Sequence, residues 1–134
     1  MSGGAVDEEV PTAPELFVPD VEATVRFWVE HLGAECVRLE PGSFGVVRLE
    51  ASIVFVAHES HYAEMGGELG GRRGVGLDVR IVVADVDALH RRVRDAGVEI
   101  VHDIADRDYG LRDFIVRDPN GFRVRFASPL RARA

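Results

Sequence analysis

The sequence predicts an α+β fold of two tandem βαβββ modules, with curved mixed sheets around a cleft and helices on the outer face. Three observations predict it. Asp20-Val21 and Asp85-Val86 open two amphipathic stripes offset by 65 residues. Each stripe follows a short apolar run and ends on a glycine, Gly33 or Gly97. Three strand-like stretches with turn chemistry between them follow each stripe. One such unit cannot close a core alone, so the two sheets must pack or pair.

The elements follow in order. Residues 1–11 are small, polar and acidic, and read as a disordered tail. Glu15-Leu16-Phe17-Val18 reads as a strand, and Asp20 as a helix N-cap. Val21, Val25, Trp28 and Leu32 form one apolar helix face, which assigns Trp28 to the core. Gly33 stands where a helix-terminating glycine belongs. Strands are predicted near 35–40, 44–50 and 52–57, with turns at Pro41-Gly42 and Glu50-Ala51. Six glycines between 59 and 76 read as a linker or mobile flap. The pattern then restarts with a strand at 79–83, an N-cap at Asp85 and a stripe of Val86, Leu89, Val93 and Ala96. Strands are predicted near 99–102, 111–117 and 122–127, with a turn at Asp118-Pro119-Asn120-Gly121. The expected organisation is one domain over 12–130: a first module at 12–58, the glycine-rich linker at 59–76 and a second module at 77–130.

Composition narrows the function. The chain has 134 residues, 46% hydrophobic and 29% charged, as globular domains do. All 16 basic residues are arginine, against 23 acids, for a net charge of −7. That balance argues against nucleic acid as a partner. The absence of lysine excludes Schiff-base chemistry. The longest apolar run, Ile53–Ala57, is far too short for a membrane span. No secretory signal pattern is visible at the N-terminus, and Cys36, the one cysteine, has no internal partner. A reducing cytoplasm is the expected location. The charge is uneven: residues 1–70 hold 13 acids and 3 arginines, and residues 71–134 hold 10 acids and 13 arginines.

Strand alternation sorts the faces. Leu16 and Val18 oppose Glu15 and Phe17. Val79, Ile81 and Val83 oppose Asp78, Arg80 and Val82. Val124 and Phe126 oppose Arg123 and Arg125. The apolar faces are expected to carry the helices. The other faces mix aromatic and charged side chains, either as a small-molecule cleft or as a solvated open sheet.

Together these pieces resemble the vicinal oxygen chelate superfamily of glyoxalases, extradiol dioxygenases and bleomycin resistance proteins. The resemblance rests on Val18-Pro19-Asp20-Val21, Phe27-Trp28 and Leu32-Gly33 in the first half. In the second half it rests on Val83-Ala84-Asp85-Val86-Asp87-Ala88-Leu89, Ala96-Gly97-Val98, Tyr109-Gly110-Leu111-Arg112-Asp113-Phe114 and Arg117-Asp118-Pro119-Asn120-Gly121. It covers about residues 12–128. Phe122 departs from the family's usual turn, which carries Asn there. Enzymes of this superfamily hold a divalent ion with His and Glu from four inner strands. The matching positions here are Ala13, Phe55, Asp78 and Arg125. Neither Ala nor Phe offers a ligand atom, and Arg is a permanent cation. A catalytic ion needs about three protein ligands. The resemblance therefore implies no metal and no cofactor, and lies nearest the metal-free, bleomycin resistance-like branch.

That branch implies a homodimer that sequesters an antibiotic-type aromatic or zwitterionic molecule, with Pro14 at the hinge of an N-terminal strand exchanged between chains. Phe17, Phe44, Phe55 and Tyr109 are the stacking candidates. Glu15 and Asp78 are the candidate partners of a cation, and Arg80 and Arg125 of an anionic group; Arg112 either contacts the ligand or anchors the Tyr109 loop. Arg80–Asp78 and Arg125–Glu15 are alternatively structural ion pairs. The sequence shows no nucleophile–base constellation, so binding is expected rather than catalysis. The competing expectation is a metal-dependent lyase, isomerase or dioxygenase with displaced ligands. His58 and His61, near Glu59 and Glu64, are the weak alternative donor group; His31 and His90 read as surface residues.

Overall fold

The computed structural model describes residues 9–132. Most of the tail predicted to be disordered therefore lies outside the described residues. The chain divides into two compact units, Met1–Gly71 and Arg72–Ala134. The division falls inside the glycine-rich segment.

The first unit contains β1 (Glu15–Val18), α1 (Val21–Glu30), β2 (Glu35–Glu40), β3 (Phe44–Leu49), β4 (Ser52–His58) and α2 (Glu59–Glu64). Its sheet order is β1-β4-β3-β2, with β1 parallel to β4 and the other pairs antiparallel. The second unit contains β5 (Asp78–Val82), α3 (Val86–Asp95), β6 (Ile100–Asp106), β7 (Leu111–Arg117) and β8 (Arg123–Pro129), then a 3₁₀ turn at Leu130–Ala132. Its order is β5-β8-β7-β6, again with only the first pair parallel. The internal repeat is thus a repeat of topology: two mixed four-stranded sheets of βαβββ type.

Local chemistry explains the elements. The Asp20 carboxylate accepts the Ala23 N–H at 3.0 Å, and the Asp85 carboxylate accepts the Ala88 N–H at 3.0 Å. Each satisfies one of the unpaired donors of a first helical turn. Gly33 and Gly97, at φ 80° and 77°, turn the chain out of α1 and α3. Trp28, Leu16 and Val18 are buried between α1 and its sheet, and Val86, Val93, Phe114 and Phe126 between α3 and its own. The sorting of faces holds: Leu16, Val18, Val79 and Ile81 are buried, whereas Glu15 and Arg80 are exposed.

The structure changes three expectations. Residues 59–64 are not linker but the helix α2, which packs on β1 and β4. The glycines that suggested a flexible run begin only at Gly66. Strand β6 runs to Asp106 rather than ending near residue 102. It is an edge strand with register shifts around His102, so it tolerates polar residues that break the alternation. His90 is not a surface histidine: its ring packs edge-on to Phe114 at 5.1 Å and contacts Asp103 at 2.8 Å.

Candidate functional site

In the second unit the sheet face away from α3 carries a charged lattice. Asp78, at the start of β5, receives Arg123 Nε at 2.6 Å and Arg125 Nη2 at 3.2 Å. Arg125 Nη1 also reaches Asp113 at 3.0 Å and donates to the Tyr109 hydroxyl at 3.1 Å. Tyr109 donates to Asp113 at 2.7 Å, and Arg107 Nε binds the same carboxylate at 2.8 Å. Asp113 is fully buried at the centre of the group.

The electrostatics fix these charges. The Arg123 hydrogen bond, helped by Arg125 and opposed by burial, holds the Asp78 carboxyl below its ordinary range. Burial opposes charge on Asp113, but the bonds from Arg107, Tyr109 and Arg125 outweigh it and lower its pKa as well. The hydrogen bond to Asp113, with burial, raises the Tyr109 phenol. Two ionised aspartates wrapped in guanidinium donors and a neutral phenol make a rigid scaffold. None of them is poised to exchange a proton near neutral pH.

Arg112 stands apart. It alternates with Asp113 and so lies on the helix side, where it pairs with Asp87 of α3 and Asp106 of β6, both at 3.0 Å. It braces α3 to the sheet edge and does not share a face with Asp78, Tyr109 and Arg125. The expected Arg80–Asp78 pair is likewise replaced: Asp78 is taken by Arg123 and Arg125, and Arg80 is exposed.

In the first unit the open face is aromatic. Register places Glu15 opposite Phe55, and Phe17 opposite Ala57, which in turn faces Phe44. Phe44 and Phe55 stack with ring centres 5.6 Å apart, and the Arg38 guanidinium lies 5.2 Å from the Phe44 ring centre. Arg38 also pairs with Glu40. Phe17 is turned toward Tyr62 of α2, at 4.8 Å. A cavity of about 420 Å³ opens here, lined by Glu15, Glu40, Ser43, Phe44, Ala57, His61, Glu64 and Met65.

Of those residues only Glu15 and Phe44 were expected as ligand contacts; Glu40, Ser43, Ala57 and Met65 were not singled out, and His61 and Glu64 were read only as a weak metal-donor group. Treating 59–76 as linker hid the part that His61, Glu64 and Met65 play, because α2 and its C-cap bring them to the cavity wall. The Ser43 hydroxyl lies 3.1 Å from His61 Nε2, and His61 Nδ1 lies 3.4 Å from Glu64. That is a nucleophile–base contact with a carboxylate behind it. Beside it the Gly42 N–H donates to Glu22 at 2.9 Å and the Ser43 N–H to the Glu40 carbonyl at 3.0 Å. The contact forms part of the cavity wall.

The four positions implied for a divalent ion do not fit one. Phe55 and Arg125 occupy equivalent places in the two sheets, facing Glu15 and Arg80 respectively. One is a ring stacked on Phe44 and the other a guanidinium bound to two aspartates. Ala13 has only a methyl group, and Asp78 is engaged by two arginines. Among the described residues no three His, Cys, Asp or Glu side chains gather in a way that could hold a metal ion.

Known proteins share this architecture. The chain is similar to the uncharacterized protein Rv0887c of Mycobacterium tuberculosis, 27% identical over 138 aligned residues covering 95% of this chain and 79% of that protein. The structure of TioX from Micromonospora sp. ML1 superposes with a TM-score of 0.70 at 25% identity, covering 89% of this chain and 98% of that one. Lactoylglutathione lyase from Agrobacterium tumefaciens has the same fold, with a TM-score of 0.69 at 19% identity over 90% of this chain and 93% of that one. The family model described as Glyoxalase/Bleomycin resistance protein/Dioxygenase superfamily matches residues 12–126. The repeated βαβββ topology and this match together place the chain in the glyoxalase/bleomycin resistance protein/dioxygenase superfamily.

Proposed function

We propose that this superfamily member is a metal-independent binding protein that sequesters a small aromatic molecule, cationic or zwitterionic and antibiotic-like. The observation that carries this reading is the cavity of the first unit. Its volume of about 420 Å³ suits a small ligand. Phe44, stacked on Phe55, offers a flat apolar surface. Glu15, Glu40 and Glu64 line the same cavity and favour a positive group beside the ring. The donor set at Ala13, Phe55, Asp78 and Arg125 supports binding without a metal.

The test is calorimetric titration of the full chain with bleomycin-type glycopeptides and simpler flat aromatic cations. Saturable binding is expected, weakened about tenfold or more by Phe44→Ala, a loss of about 1.4 kcal/mol. No saturable heat with any of these, or an unchanged affinity in Phe44→Ala, would overturn the reading. Elemental analysis of tag-free protein tests the metal-independent part; a stoichiometric divalent ion would refute it.

The same reading includes a homodimer, with exchange of the N-terminal strand at Pro14. It is supported by the exposure of Val82 on β5, which leaves an apolar side chain for a partner. A cytoplasmic location belongs to the same proposal. Among the described residues no helix is long and apolar enough to cross a membrane.

A further inference from the structure

We propose that the second unit carries a separate ligand site, an arginine-lined pocket for a small molecule bearing two or more phosphate or carboxylate groups. A cavity of about 490 Å³ lies between the segment that leads into β5 and the turn that joins β7 to β8. Four arginines line it: Arg72 and Arg73 from the segment, Arg117 from the end of β7 and Arg123 from the start of β8. Asp78 is the one acid in its wall. The volume is that of a small-molecule site and exceeds what a single phosphate fills.

Charge and geometry both point to an anionic occupant. Arg117 is partnered by Glu99 through Nη1 at 2.8 Å, and Arg123 by Asp78 through Nε at 2.6 Å. Asp78 also serves Arg125, so its single charge is divided between two guanidiniums. Four guanidiniums and one carboxylate, that of Asp78, line the cavity, in a chain whose total charge is −7. A guanidinium carries five N–H donors in a planar fork, so one carboxylate partner leaves others for an oxyanion.

Two glycines build the site. Gly74 and Gly121 have φ of 76° and 108°. A Cβ on Gly74 would lie 3.0 Å from the Phe122 Cα, and one on Gly121 would lie 3.2 Å from the Arg73 carbonyl oxygen. The segment and the turn are thus in backbone contact, which seats Arg72 and Arg73 beside Arg117 and Arg123. The site is a concavity rather than a stripe. The overall negative charge disfavours a long polyanionic strand, so the ligand is a small molecule.

The experiment is calorimetric titration of the full chain with inorganic pyrophosphate, citrate and inorganic phosphate at about 0.05 M salt. Saturable binding of pyrophosphate or citrate is expected, with phosphate weaker by about tenfold or more. Tighter pyrophosphate assigns the site to phosphates, and tighter citrate assigns it to carboxylates. Arg72 is exposed, so Arg72→Gln is expected to keep the wild-type thermal midpoint and weaken binding about fivefold or more. Phe44→Ala is expected to leave pyrophosphate binding unchanged, which separates this site from the aromatic cavity. No saturable heat, or unchanged affinity in both Arg72→Gln and Arg117→Gln, overturns the proposal. Competition by a short DNA duplex overturns the small-molecule assignment.

Discussion

Asp113 shows what a single buried charge does in this protein. Its carboxylate is wholly inside, yet Arg107, Tyr109 and Arg125 supply three donors within 3.0 Å. Asp113→Ala strands two guanidiniums and a phenol around an empty volume. It is expected to cost about 1.5–3 kcal/mol in urea denaturation, the range for hydrogen bonds to charged groups. The pH dependence follows from the same contacts. Asp78 and Asp113 titrate below their unfolded value, so the folded state binds fewer protons. Their contribution is complete above the unfolded aspartate pKa of about 3.9 and is lost as pH falls through the lower folded values. Asp118 has the opposite sign, because burial raises its pKa against the hydrogen bonds of its turn. Denaturation midpoints measured at successive pH values are expected to fall below about pH 4, and to fall less steeply in Asp113→Asn. The residue types of this lattice were legible in the sequence; their pairing was not. Alternation put Asp78, Arg80 and Arg125 on one face, but neither spacing nor charge could say that Arg123 would bind Asp78 and Asp113 would bind Arg125.

The repeated elements were the most legible feature, because their signals are local. An aspartate, an apolar stripe at helical spacing and a closing glycine specify α1 and α3 without help from the rest of the chain. Asp20→Ala and Asp85→Ala are each expected to lower stability by about 0.5–2 kcal/mol, with helical circular dichroism retained at low temperature. The error at this scale was α2. It has six residues, no buried side chain and glycines directly after it, so it has no stripe to read. Its contacts with β1 and β4 hold it in place, and these are tertiary. Missing it meant missing the wall of the aromatic cavity, including the His61–Ser43 contact. Arg112, expected either to contact the ligand or to anchor the Tyr109 loop, takes structural partners. Its position beside Tyr109 in sequence hides the alternation that sends it to Asp87 and Asp106 on the helix side.

Over the whole molecule, the charge split coincides with the structural division. The boundary between Gly71 and Arg72 separates a segment with 13 acids and 3 arginines from one with 10 acids and 13 arginines. If unlike units meet across a homodimer, their attraction assists assembly and is screened by salt. Light scattering after size exclusion is then expected to show weaker self-association at about 0.5 M salt than at about 0.05 M; insensitivity to salt would remove the electrostatic contribution. By itself the sequence determined the βαβββ repeat, the place of α1 and α3 and the buried and open faces of the strands. Each of these depends on short-range periodicity or on residue chemistry at one position. Only the tertiary structure decided which arginine meets which aspartate, that α2 packs on β1 and β4, and that Gly74 and Gly121 bring four arginines around one cavity. Those outcomes require residues tens of positions apart to approach within a few ångströms, which depends on strand register and backbone contact rather than on any local pattern.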